Sequence, residues 1–184
     1  ASFNNALLDK YGVFKVDLAR KKAIENYDLL IIPKPTQSFS ELDKLKLDQF
    51  IMHGGKLMVL MDRLDAVMDS ASRQDYFAFP YTLNMEDLLF KYGVRINPDL
   101  IQDRIAARYP VVTGQVGNRP QLMQMDWPFF PLVNQYATHP ITRNLDATLL
   151  RFVSSIDTVK ATGVIKTPLL FTSPASRKMG TPVK

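Results

Sequence analysis

Apolar positions fall into two regimes along this chain. Over the first hundred residues they come in short buried-type runs and in helical spacings, whereas from Asp103 onward the helical signal fades and extended stretches broken by turns take over. The clearest unit lies between Tyr27 and Asp62. Tyr27 to Pro33 reads YDLLIIP, a short run rich in branched residues that predicts a strand buried on both faces. A turn at Lys34 to Gln37 leads to Ser38 or Ser40 as helix caps, with Glu41 and Asp43 in the first turn. Leu47, Phe50 and Ile51 take the spacing that faces a sheet, and Gly54-Gly55 stops the helix. Lys56 to Asp62 then predicts a second strand. A strand–helix–strand crossover is nearly always right-handed and parallel, so the pattern predicts an α/β fold around a mostly parallel sheet.

Further elements follow the same logic. Phe3 to Tyr11 predicts a helix stopped by a left-handed Gly12, and the alternation from Val13 to Leu18 predicts a strand. Asn84 is a predicted cap for a helix that carries Met85, Leu88, Leu89 and Tyr92 on one face and ends at Gly93. Val94 to Ile101 reads as extended, with a turn at Asn97-Pro98-Asp99. The motif LLxKYGV occurs at Leu7–Val13 and again at Leu88–Val94, as two instances of a helix that stops on glycine and feeds a strand. Past Asp103, strands are predicted at 105–113, 121–125, 149–153 and 168–172. Trp127-Pro128-Phe129-Phe130-Pro131 and His139-Pro140 fall in the loops between them, and residues 179–184 read as a frayed tail.

Length and composition narrow the possibilities. The 184 residues suit one domain, with residues 1–102 as a parallel βα core and 103–184 as a β-rich, loop-rich extension. A hydrophobic fraction of 46% against 22% charged is that of a globular chain, and no segment reaches the ~20 apolar residues that span a bilayer. The chain has neither a signal-type apolar segment nor an initial methionine, so it reads as a piece of a longer protein with any anchor elsewhere. The net charge of +5 is carried by the second half, where basic residues are scattered without interleaved aromatics. That is a solvated basic surface rather than a nucleic-acid platform.

Candidate chemistry is sparse. The absence of cysteine excludes disulfides, thiolate nucleophiles and zinc–cysteine sites. Gly54-Gly55-Lys56 follows a helix and precedes a strand, the reverse of a phosphate loop, and there is no GxGxxG or GxSxG. His53 sits where a helix end favours a capping imidazole. Asp62, Asp65 and Asp69 cluster after the second strand, where carboxylates could bind a cation or act as a base, and a catalytic or metal pocket built from Asp62, Asp65 and His139 requires those three to converge. The alternative is a contact surface on the long loops 63–83 and 103–131. There Trp127, Phe129 and Phe130 are candidate apolar anchors, and Arg104 and Arg108 are candidate partners for an acidic surface.

Four segments carry a family resemblance: YDLLIIPKPTQSFSELDKLKLDQFIMHGGKLMVLMD, LLFKYGVRINPDLIQD, HPITRNL and TPLLFTS. Their order and spacing resemble the extracytoplasmic domain of the gliding-motility GldG family, auxiliary proteins of uncharacterised ABC-type transport systems. The resemblance implies a domain on the periplasmic face of the inner membrane, anchored by a segment outside this sequence, that accompanies a separate permease and a separate ATPase subunit. It implies no catalytic residues, no metal and no cofactor, and leaves self-association open. The fold it implies is a three-layer sandwich, flavodoxin-like or class I glutamine amidotransferase-like. The amidotransferase nucleophile is a cysteine, which this chain lacks. The expected function is therefore non-catalytic interaction or ligand sensing, against the alternative of a small-molecule hydrolase or metal enzyme.

Overall fold

The computed structural model describes residues 3–68, 77–117 and 119–183. The chain divides into two compact units, one made of residues 1–32 and 39–59, the other of 33–38 and 60–184.

The first unit holds the strand–helix–strand element. Strands β1 (Leu29–Pro33) and β2 (Lys56–Leu60) pair with each other, and helix α2 (Glu41–Met52) joins them. The Lys56 amide donates to the Asp28 carbonyl and the Lys34 amide to the Leu60 carbonyl, so the bonds advance together along both strands, as in a parallel pair. Ser40 caps α2 in a complete capping box. Its Oγ accepts from the Asp43 amide at 3.1 Å, and the Asp43 carboxylate accepts from the Ser40 amide at 3.3 Å. Hydrogen bonds from Ser40, with the charge of Lys46 adding to them, hold the Asp43 carboxyl below the usual carboxylate range against the opposing pull of burial.

Two glycines end α2 for different reasons. Gly54 adopts φ +89°, the left-handed conformation that costs a residue with a Cβ about 1 kcal/mol or more. A Cβ on Gly55 would instead lie 2.5 Å from the Phe50 ring. Gly55→Ala is therefore expected to destabilise this unit by about 1–3 kcal/mol through overpacking. Gly54→Ala, with open space around it, is expected to cost only about 1 kcal/mol. Urea titration of both variants checks the ranking, and equal losses would mean that the Phe50 ring yields.

Three expectations for this unit are corrected. β1 is not buried on both faces, since only Ile32 is fully covered and Leu29 is 44% exposed. Helix α1 (Phe3–Leu8) is shorter than predicted, and Gly12 does not take a positive φ. Residues 13–17 form no strand. The segment closes in a single 3-10 turn at Leu18–Arg20, capped by the Asp17 carboxylate on the Ala19 amide.

The second unit overturns the predicted three-layer parallel sandwich. Its strands are β3 (Val94–Ile96), β4 (Asp99–Gln102), β5 (Ala106–Val116), β6 (Arg119–Val133), β7 (Gln135–Tyr136), β8 (Thr148–Leu149), β9 (Ile156–Thr158), β10 (Leu170–Phe171) and β11 (Arg177–Gly180). They pair antiparallel as β3 with β9, β4 with β11, β7 with β10, and β5 with β6 and then β8. Helix α3 (Glu86–Lys91) is the predicted one, but Met85 rather than Asn84 occupies the cap position, and Asn84 has φ +56°. Gly93 ends it at φ +80°, as predicted.

A core of Leu64, Ala78, Leu100 and Val183, flanked by Phe129, Phe152 and Met179, explains this reorganisation. The supposed tail supplies Val183, 6% exposed and bonded through its carbonyl to the Ala78 amide, and β11 covers β4. The connection after β2 folds back on itself, with Leu64 bridged to Pro80. Its residues 69–76, including Asp69, lie outside the described residues.

Candidate functional site

Two carboxylates four residues apart on and after β4 organise the second unit. Asp99 accepts from both the amide and the Oγ of Ser155, each at 2.7 Å. Asp103 accepts from the amide of Ser173 at 2.8 Å, from its Oγ, and from the Ile105 amide at 2.9 Å. Both aspartates and both serines are buried. Burial pushes the Asp103 carboxyl up, but the bonds from Ser173, Ile105 and Arg104 outweigh it and hold the group below the usual carboxylate range. These are braces that tie distant loops to β4, and each carboxylate is satisfied within the fold. Sequence reading passed over them; an Asp-x-x-x-Asp spacing on a strand end followed by isolated serines was the available signal.

A third carboxylate, Asp157 on β9, collects Arg95 Nη2 at 2.7 Å, Asn97 Nδ2 at 2.9 Å and Lys178 Nζ at 3.7 Å. The Arg95 hydrogen bond, with Asn97 and Lys178, lowers its pKa to about 2. A carboxyl whose folded pKa is depressed adds stability that is present above its unfolded value, near 3.8, and lost as pH falls through the folded one. Acid titration should therefore show a loss of stability between about pH 4 and pH 2 that Asp157→Asn removes. Coincident acid transitions in both proteins would show that the cluster adds nothing.

Each member of the predicted pocket is bonded to a neighbour of its own. Asp62 pairs with Lys34 at 3.1 Å, and Asp65 accepts from Tyr81 Oη at 2.8 Å. His139 Nδ1 accepts from the Ile141 amide at 3.2 Å inside its own turn. No group of three or more metal-ligating side chains that could hold an ion occurs among the described residues. His53 caps α2, with Nδ1 donating to the Gln49 carbonyl at 2.7 Å, as expected of a helix-end imidazole.

The aromatic anchors lie elsewhere than expected. Trp127 to Pro131 is not a loop but the inner half of β6. Phe130 is 2% exposed, edge-on to Tyr109 at 5.7 Å and to Phe152 at 5.2 Å, with the Arg151 guanidinium over its ring. Phe129 is half-buried against Phe152, and Trp127 is half-buried beside Tyr109. Phe130 is thus core rather than contact surface, because the antiparallel ladder turns its ring inward. Arg104 is exposed. Arg108 is exposed and faces Asp126 across the ribbon at 3.5 Å.

Each unit contains a hollow. The first unit has a cleft of about 700 Å³ lined by Ile24, Tyr27, Leu42, Leu45 and Phe50, with Lys46 and His53 at its polar wall. Lys46 Nζ already donates to the Leu18 carbonyl at 2.7 Å and pairs with Asp43. The second unit has a cavity of about 30 Å³ between Met61, Leu83, Met85 and Ile96, with Arg63 in its wall. Arg63 Nη1 donates to the Tyr81 carbonyl at 2.6 Å and pairs with Glu86 at 2.7 Å. That space suits one water molecule.

Taken together, these groups define a domain whose buried polar side chains brace its own loops. Its exposed surface is the part open to other molecules. A family model described as "ABC-type uncharacterized transport system" matches residues 1–184, and the chain belongs to this family of auxiliary transport-system components. No curated protein matches it. Among solved structures it is similar to the "mmIFT52 N-terminal domain", with a TM-score of 0.55 and 18% identity over 85% of this chain. The likeness covers 61% of that structure's chain and is one of fold.

Proposed function

We propose that this chain is a non-catalytic, extracytoplasmic interaction domain of an ABC-type transport complex linked to gliding motility. A segment elsewhere in its protein would hold it at the outer face of the inner membrane, where it meets the permease whose ATPase subunit lies on the other side. The family match over the whole of residues 1–184 carries the reading. The four sequence segments that resemble the gliding-motility family support the finer assignment. Of the carboxylates singled out by sequence, Asp62 pairs with Lys34 and Asp65 accepts from Tyr81, which favours binding over bond chemistry.

Purification of a tagged permease co-expressed with its ATPase and the full-length protein tests the association. Co-elution in fixed proportion is expected, and free elution of the protein from a stable permease complex would refute it. Topology is checked separately by fusing alkaline phosphatase to the end of the domain. An active fusion is expected, because that enzyme matures only outside the cytoplasm, and an inactive one would place the domain inside.

A further inference from the structure

We propose that the outer half of the β5–β6 ribbon is a docking arm that an acidic protein surface clasps on both faces. This deepens the interaction reading above and rests on it. From Tyr109 to Val116 and from Arg119 to Met125 the two strands pair only with each other among the described residues, since β8 joins β6 only at Leu132 and Val133.

The ladder register assigns the side chains to faces. Opposed residues share a face, so Val111 with Met123 and Tyr109 with Met125 form one, and Val112 with Leu122 forms the other. Met123 is 51% exposed and Met125 47%, while Val112 and Leu122 on the opposite side are 59% and 60% exposed. A two-stranded ribbon is marginal in water, and this one shows apolar side chains on both faces. Tyr109 stacks near Trp127 at 6.2 Å and meets Phe130 edge-on, so the arm is rooted in the aromatic core of its unit.

Charge and backbone chemistry select the occupant. Between Arg104 and Met125 the chain carries Arg104, Arg108 and Arg119 and no acidic residue; Arg108 is paired with Asp126 across the ribbon at 3.5 Å, which leaves Arg104 before β5 and Arg119 at the start of β6 to meet an acidic partner. Two copies brought together through this arm would set like charges side by side, whereas an acidic partner is attracted. Strand addition along the edges is blunted by Pro110, Pro120 and the register shift between Val112 and Gly114. Burial in a lipid interior would leave the open edges of the ribbon without hydrogen-bond partners. The remaining mode is side-chain docking, with methionines that adapt to an apolar groove and arginines that meet carboxylates at its rim.

The test uses the full-length protein with the permease complex. The variants are Val112→Ser with Leu122→Ser, Met123→Ser with Met125→Ser, and Arg104→Glu with Arg119→Glu. Each is expected to weaken permease binding at least about tenfold while leaving the thermal transition in place, because every substituted side chain is exposed. Added salt is expected to weaken wild-type binding and to have less effect on the arginine pair variant. Wild-type binding by all three variants would overturn the arm while the interaction reading survives. A wild-type protein that never joins the permease complex would remove the interaction reading, and the arm with it. Arm-dependent binding to anionic lipid vesicles, or an arm-dependent dimer, with permease binding unchanged, would assign the surface to a different occupant and overturn the proposal.

Discussion

Alanine in place of Phe130 is expected to lower the unfolding free energy by about 3–5 kcal/mol, the range for removing a fully buried aromatic ring. The ring is 2% exposed and is held by two edge-on neighbours, Tyr109 and Phe152, with the Arg151 cation 5.3 Å from its centroid. Its loss would leave a space that the β6 backbone, pinned by Pro131 and by pairing to β8, cannot collapse to fill. Trp127 is the chain's single tryptophan and lies next to Tyr109 in the same cluster. Urea unfolding followed by its fluorescence therefore reads the second unit directly. A shift of less than about 1 kcal/mol would show that the cluster is a surface feature and that Phe130 remains available as a contact.

The second large effect is expected at Asp103. Asp103→Ala removes the acceptor for the Ser173 amide, the Ser173 Oγ and the Ile105 amide, all from one buried group. Stranded buried donors cost about 1–3 kcal/mol each, and partial relaxation brings the expected total to about 3 kcal/mol. Asp103→Asn keeps the shape and one acceptor, so about half of that loss is expected. The same experiment at Asp99, which among the described residues holds Ser155 alone through its carboxylate, should give a smaller change than at Asp103. Equal stability of Asp103→Ala and wild type in denaturant titration would mean that water replaces the brace without cost.

Much of the first unit was legible in the residues. Ser40, Asp43 and the paired glycines define the ends of α2 through local hydrogen bonds and backbone conformation, and local rules need no distant partner. The predicted extension to a layered parallel sheet failed for a different reason. A βαβ pattern specifies how two strands relate, and says nothing of how many more will join them. The candidate site was less legible still. Asp62, Asp65 and His139 are plausible as types, but the neighbours they bond to, Lys34, Tyr81 and Ile141, are set by the fold. Asp99 and Asp103 were hidden because their partners lie 56 and 70 residues away.

The twin LLxKYGV motifs separate the two kinds of information. At Leu88 the motif ends in Gly93 at φ +80° and feeds β3, which finds β9 to pair with. At Leu7 the same letters give a short helix, a Gly12 without positive φ, and an unpaired segment. The caps of α2, the exclusion of thiol chemistry, the family's segment pattern and the basic, acid-free stretch from Arg104 to Met125 were determined by the chain's own letters. Which extended segments became strands, which aromatic rings went inward and which part of the β5–β6 ribbon stayed open were decided only in three dimensions. A strand is completed by hydrogen bonds to a partner remote in sequence, and no local pattern carries the identity of that partner.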